Sequence, residues 1–210
     1  MTEKIQHLTD RRRYIIRNVV PGKKKIESDI SRVFFSKLAL DGLDDMYEYS
    51  CMPEFYSFME MPPHNSKEDT RNYILKLLDR MDKGYSGGEA MYWFIRLSSS
   101  KKIIGSIGLV GIDFRVGRAE VGEGLSPKYW GKGYMSEAFG IFLNYCFKLL
   151  ELERLQSITR YDNLPNIKLN EKAGFKKEGR LRNYYLKYSG KKYDAVLYGQ
   201  LRDEYLSRGI

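Results

Sequence analysis

The chain has 210 residues, 42% hydrophobic, 30% charged and 14% aromatic, the balance of one folded domain and not of a disordered, collagen-like or disulfide-stapled chain. Its net charge of +9 is lopsided, because residues 1 to 25 hold eight Lys and Arg against Glu3 and Asp10 and leave only +3 for the rest. This describes a basic arm, residues 1–30, ahead of a domain at 31–210, and argues against a nucleic-acid surface spread over the whole protein.

In chain order, Val33 to Leu38 reads as a strand. After Asp41, Leu43, Met46, Tyr47 and Ser50 fall at helical spacing until Pro53. Ser66 and Asp69 form a capping-box-like start for a helix with its apolar stripe on Tyr73, Ile74, Leu77, Leu78 and Met81, and a loop follows at Gly84 to Gly88. Met91 to Leu97, Ile103 to Asp113 and Arg118 to Leu125 form an antiparallel meander. A long helix carries Met135, Ala138, Phe139, Phe142, Leu143, Cys146, Phe147 and Leu150 on one face, so Cys146 is core. Arg154 to Tyr161 is a strand, Pro165 to Ala173 a helix capped by Gly174, and Tyr184 to Tyr188 with Tyr193 to Leu201 a hairpin.

No apolar run reaches the roughly 20 residues of a spanning helix, and no apolar segment of signal-peptide length precedes Lys23, Lys24 and Lys25. No membrane contact and a cytoplasmic location are the expectations. The two cysteines, Cys51 and Cys146, and two histidines, His7 and His64, show no metal-ligand spacing, so no metal is expected. That leaves carboxylates, hydroxyls and backbone amides to carry any chemistry.

The segment Lys128-Tyr129-Trp130-Gly131-Lys132-Gly133-Tyr134 lies between a strand and a long helix. The first turn of a helix offers free N–H groups and the positive end of its dipole to an anion, and glycines let a diphosphate come close. A Walker A loop is excluded because Gly133, not Ser or Thr, follows Lys132. A dinucleotide fingerprint fits poorly, since Ser136 stands at the third glycine and an antiparallel meander precedes the loop.

Ala119-Glu120-Val121-Gly122, then Tyr129 through Ala138, then Asn163 through Asn166 to Glu171-Lys172-Ala173-Gly174-Phe175, together resemble the GNAT superfamily of acyl-CoA N-acyltransferases. Within it they resemble the branch of ribosomal-protein N-terminal acetyltransferases and spermidine acetyltransferases, over roughly Phe35 to Tyr205. The resemblance implies an α+β fold: a mixed, mostly antiparallel, twisted sheet of about seven strands flanked by about four helices, splayed at the strand before the phosphate loop. It implies acetyl-CoA as cosubstrate, with the backbone around Trp130, Gly131, Lys132, Gly133, Tyr134 and Met135 on the pyrophosphate. Lys128 would open the motif where relatives have Gln or Arg. Leu125 would pair with pantetheine and Asn163 would bond its arm. Asn166 stands where the branch commonly has Ser. Asn170, assigned to the cofactor site, stands where many relatives carry the Tyr that protonates the leaving thiolate. Tyr161, Tyr184 or another tyrosine would then substitute, or the thiolate would leave unaided, its thiol pKa being only about 8.5.

Acetyl transfer to an amine needs a neutral amine, so a carboxylate base is useful. Glu123 and Glu120 are the candidates, Glu123 preferred; their odd spacing puts them on opposite strand faces unless Gly122 or Gly124 bulges. A backbone N–H near Leu125 would polarise the thioester. Asp41, Asp44, Asp45, the aromatics Tyr47, Tyr49, Phe55, Tyr56 and Phe58, and the hairpin residues Arg180, Arg182, Tyr184 and Tyr185 are candidates for the acceptor side. The expected activity is transfer of acetyl from acetyl-CoA to a primary amine, on a protein N-terminus or a small molecule; a noncatalytic protein binding CoA or RNA is the alternative. The arm is expected to be dispensable for CoA binding and available to RNA, a ribosome or an acidic partner. Its Tyr14, Ile15, Ile16, Val19 and Val20 suit docking on the domain or on a second subunit as a homodimer.

Overall fold

The structure is a computed structural model that describes residues 3–22, 31–84 and 88–209; Lys23, Lys24, Lys25 and most of the Gly84–Gly88 loop lie outside them. The elements run α1 (Glu3–Asn18), β1 (Val33–Lys37), α2 (Leu43–Ser50), α3 (Lys67–Lys83), β2 (Glu89–Leu97), β3 (Ile103–Asp113), β4 (Arg118–Leu125), α4 (Tyr134–Asn144), β5 (Arg154–Arg160), α5 (Leu164–Ala173), β6 (Lys176–Leu186), β7 (Lys192–Leu201) and α6 (Arg202–Leu206). The fold is α+β, with one seven-stranded sheet among the described residues, in the order β1-β2-β3-β4-β5-β7-β6.

Alternation along the central strands gives the sheet two apolar faces. Met91, Trp93 and Ile95 of β2 point into the larger core with Phe139, Phe142 and Leu143 of α4, while Phe94 between them joins Met46 of α2 and Ile74 and Leu77 of α3. The capping box at Ser66 starts α3: Ser66 Oγ accepts from the Asp69 amide at 3.1 Å, and Asp69 accepts from the Ser66 amide at 3.0 Å.

Every strand pair among the described residues is antiparallel except β4 with β5. These two are parallel and paired only from Arg118 opposite Arg154 to Glu120 opposite Gln156. Beyond Glu120 they diverge. The divergence opens a wedge in the middle of the sheet and leaves one edge of Val121–Leu125 with no described strand beside it.

The described residues hold six α-helices, against about four expected, the additions being α1 and the short α6. The long helix is also interrupted: after Asn144 it continues as a π turn over Tyr145–Leu149, where the Leu150 amide reaches back to the Tyr145 carbonyl at 2.9 Å. β6 begins at Lys176, well before the expected Tyr184. It is a sheet-edge strand whose first half, Lys176 to Arg180, is polar and mostly exposed, so no apolar alternation marks it.

Residues 3–22 are docked on the body, not solvated. Ile15, Ile16 and Val20 belong to the larger core, and Arg12 is 2% exposed. The Arg12 guanidinium donates to the carbonyls of Leu150 at 3.1 Å, Phe114 at 2.8 Å and Glu151, capping the end of the π turn. Burial holds its pKa below the usual arginine value. Arg11 pairs with Glu151 at 2.7 Å, and Arg13 and Arg17 with Glu89 at 3.0 and 3.9 Å. These basic residues are therefore engaged with the domain, and α1 takes the docking on the domain that Ile15, Ile16 and Val20 suit, which gives it a structural role.

Candidate active site

The wedge between β4 and β5 opens into a cavity of about 770 Å³ whose walls come from the loop after α2, β4, the Trp130–Ser136 turn, β5, α5 and β6. It runs through the sheet from the α4–α5 face to the face bearing Phe55, Phe58 and Met59. Gly124 makes that second face accessible to an aromatic ring: a Cβ there would lie 2.9 Å from Phe55 Cζ.

At the loop, Gly131 and Gly133 have φ of 70° and 80°, the left-handed region that glycine enters without strain. No heavy atom lies within 4 Å of the position a Gly131 Cβ would take, so the turn is an open cradle directly ahead of α4. The first amides of α4 have no carbonyl behind them in the helix. Trp130 donates its indole N–H to the Leu125 carbonyl at 2.7 Å, tying the loop to the end of β4. Arg32 ties it to β1, donating to Glu137 at 2.8 Å and to the Lys132 carbonyl at 3.1 Å, with its guanidinium 4.6 Å over the Tyr134 ring.

Trp130, Gly131, Gly133, Tyr134, Met135, Leu125, Asn163, Asn166 and Glu123 line the cavity. Four sequence-derived candidates do not. Lys128 turns outward to Glu48. Lys132 donates to the Lys128 carbonyl at 2.9 Å. Glu120 lies at the closed vertex of the wedge, where Gln156 donates to it at 3.2 Å. Asn170 is 1% exposed, behind the wall.

β3 and β4 keep regular register from Glu120 to Leu125, with no bulge at Gly122 or Gly124. Glu120 and Glu123 consequently sit on opposite faces. Glu123 turns toward α5, where the Asn166 side-chain amide donates to it. It is half-buried and faces the cavity, with protein around it on every other side. The resulting desolvation pushes its pKa up to about 7 against the opposing hydrogen bond from Asn166. Desolvation also raises Glu120, offset by Gln156. Asn163 caps α5, accepting from the Asn166 amide at 3.3 Å.

On the acceptor side the three aspartates of α2 and the turn before it have structural partners: Asp41 pairs with Arg96 at 3.6 Å, Asp44 with Lys67 at 2.8 Å, and Asp45 accepts from the Ile103 amide at 2.8 Å. Tyr49 and Tyr56 are buried, whereas Phe55 and Phe58 line the cavity. Of the late tyrosines, Tyr161 and Tyr184 are about half exposed and only Tyr185 lines the wall, its hydroxyl donating to the Ile158 carbonyl at 2.8 Å. Arg160 is a cavity residue that sequence reasoning missed. Its guanidinium lies 3.7 Å over the Tyr193 ring and its charge is matched by Asp162 at 2.7 Å. Its one sequence signal is a charge at the end of an otherwise buried strand, two residues before an aspartate.

An open-edged strand, a wedge and a glycine turn at a helix N-terminus suit a donor that is extended at one end and anionic at the other. A family model described as an acetyltransferase (GNAT) domain matches residues 32–176. The chain is 32% identical over 174 residues to the uncharacterized N-acetyltransferase p20 of Bacillus licheniformis, covering 83% of this chain and 95% of that protein. It is 27% identical over 115 residues to a spermidine N(1)-acetyltransferase of Vibrio cholerae, covering 55% and 66%. The crystal structure of spermidine N-acetyltransferase from Vibrio cholerae in complex with CoA and spermine superposes with a TM-score of 0.70 at 21% identity, covering 84% of this chain and 99% of that one. The chain belongs to the GNAT acetyltransferase family and is an acetyltransferase. No helix among the described residues is long and apolar enough to cross a membrane.

Proposed function

We propose that this protein moves an acetyl group from acetyl-CoA directly to a primary amine, on a small molecule or a protein N-terminus, within the β4–β5 wedge. The observation that carries this reading is one continuous cavity joining the glycine cradle at 131–133, the open edge of Val121–Leu125 and the Glu123 carboxylate. The residues fit the donor: the cradle has room where a Gly131 side chain would stand, and the first amides of α4, just after it, have no carbonyl behind them in the helix, the arrangement that suits an anion. Acetyl-CoA supplies an activated thioester; the protein's own part is to position and to move protons.

In this reading the open edge of β4 pairs with the amide-bearing arm of the donor, and an amide near Leu125 polarises the carbonyl. Asn163 and Asn166 add side-chain polar groups along the same wall. Glu123 takes a proton from the acceptor ammonium; a carboxylate near pKa 7 is half ionised at neutral pH, a useful poise for a base. Phe55, Phe58 and Tyr185 close the acceptor end; with the Tyr185 hydroxyl donating to the Ile158 carbonyl, the thiolate leaves unaided, which its low basicity allows.

The test is incubation with acetyl-CoA and a panel of polyamines, amino sugars and N-terminal peptides, following thiol release and the mass of the product. Amine-dependent thiol release with acetylated amine as product supports the reading; thiol release that ignores every amine refutes direct transfer to these acceptors.

A further inference from the structure

The hydrogen bonds behind Glu123 form a continuous line with one allowed polarity. An ionised carboxylate only accepts, so Asn166 must present its Nδ2 to Glu123 and therefore its Oδ1 to Asn170. Asn170 then has to donate, and its Nδ2 does so at 2.7 Å to Asn166 Oδ1 and at 3.1 Å to Ser157 Oγ. Asn170 is sealed from solvent and outside the cavity lining, so it cannot touch a ligand in this arrangement. Asn166 and Asn170 lie one helical turn apart on α5, which fixes their spacing whatever happens at the cavity.

We propose that Asn170 is a positioning residue: donating from behind the wall, it locks the Asn166 side chain with its N–H toward Glu123 and so holds the Glu123 carboxylate in its ionised form in the cavity. This rests on Glu123 being the base. Position 170 thus serves the carboxylate that deprotonates the acceptor and supplies no proton to the leaving group.

The other titratable groups along the cavity wall are Arg160 of β5, matched by Asp162, Lys168 and Lys172 of α5, Tyr129 and Tyr134 at the loop, and Tyr185 of β6. The Tyr185 hydroxyl is turned to the Ile158 carbonyl, and Glu120 lies on the other face of β4. Among the described residues the Asn166 bond is the influence that favours the charged form of Glu123, so a change in its polarity has a defined direction.

The test is Asn170→Asp, an isosteric change whose carboxylate cannot donate when ionised. The introduced carboxylate would take the Asn166 Nδ2 for itself, turn the Asn166 Oδ1 toward Glu123 and add a negative charge, all of which favour protonated Glu123. Asn170→Leu removes the lock without reversing it. Glu123 is followed in the full chain by carbon-13 NMR with labelled glutamate, alongside the pH dependence of kcat. The expected result is an upward move of the Glu123 titration by about one pH unit or more in Asn170→Asp, a smaller rise in Asn170→Leu, and no dependence of the kcat profile on residue 170 once Glu123→Gln is present. An unmoved Glu123 titration in both folded Asn170→Asp and folded Asn170→Leu overturns the proposal, since leucine cannot donate at all, as does a fall in thermal stability with the titration unchanged in both, the mark of a purely structural asparagine. If the titration moves but the kcat profile does not, the lock exists and Glu123 is not the base, which overturns the catalytic reading and leaves the acetyltransferase activity standing.

Discussion

Arg12 of α1 reaches the Phe114 carbonyl at the end of β3, donating to it at 2.8 Å from 102 residues away in sequence. With its bonds to Leu150 and Glu151 it satisfies three carbonyls that converge where the π turn ends. Replacing it strands those acceptors in a buried place, a cost of about 3 kcal/mol. Arg12→Met should lower the melting temperature by about 2 to 4 °C per kcal/mol lost, while CoA affinity, measured by calorimetry, stays within about twofold because the wedge lies elsewhere. A variant as stable as the parent would mean that α1 is held by its apolar contacts and the ion pairs of Arg11, Arg13 and Arg17 without Arg12.

Glu123→Gln should lower kcat by about 100-fold with a smaller change in KM for the amine. In the parent, kcat should rise through about pH 7 as Glu123 ionises. The variant should lose that limb, and its defect should shrink at high pH as free amine accumulates. Identical pH profiles would place the base elsewhere, with Glu120 next to be replaced.

The same carboxylate bears on stability. Its folded pKa, about 7, lies above the ordinary glutamate value of 4.5. The folded chain therefore binds more protons than the unfolded one between those values, and the stability this contributes is present below about pH 4.5 and lost as pH rises through about 7. Urea titrations across this window should show a shallower decline for Glu123→Gln than for the parent. Parallel curves would show that Glu123 titrates normally.

Trp130 is 46% exposed yet commits its indole N–H to Leu125. Trp130→Phe keeps an aromatic ring and loses the bond, worth about 1 kcal/mol. KM for acetyl-CoA should rise about fivefold with kcat little changed; a fall in kcat alone would mean that the tie acts on chemistry and not on the donor.

Much of this architecture is legible in the sequence because its signals are local. The aromatic and β-branched run at Met91–Leu97, the glycine-interrupted Ile and Val run at Ile103–Asp113, the Ser66–Asp69 cap and the glycines at 131 and 133 announce strands, a helix start and a turn from neighbouring residues. What stays hidden depends on distant partners. Arg12 looks like one more charge in a basic arm until Leu150, Phe114 and Glu151 are brought to it. Lys128 opens the motif as a basic side chain by position, but Glu48 takes its charge, and Lys132 keeps its side chain on the Lys128 carbonyl. Glu120 and Glu123 are nearly equivalent in the sequence; only the register with β3 and the point where β5 departs separate a vertex residue from a cavity residue. Asn170 belongs to the donor site by its place in the motif, whereas its burial puts it behind Asn166 and out of reach of a donor.

The most direct measurement of donor binding in the wedge is a calorimetric titration of CoA into the parent and into Gly131→Asp. Aspartate tolerates the left-handed backbone better than most residues, and its Cβ would meet nothing within 4 Å, so the variant should fold. Its carboxylate would stand in the cradle and repel a diphosphate. Saturable CoA binding by the parent, lost in a folded Gly131→Asp, is the expected result; equal CoA affinity in the two proteins would contradict the placement of the donor on this loop.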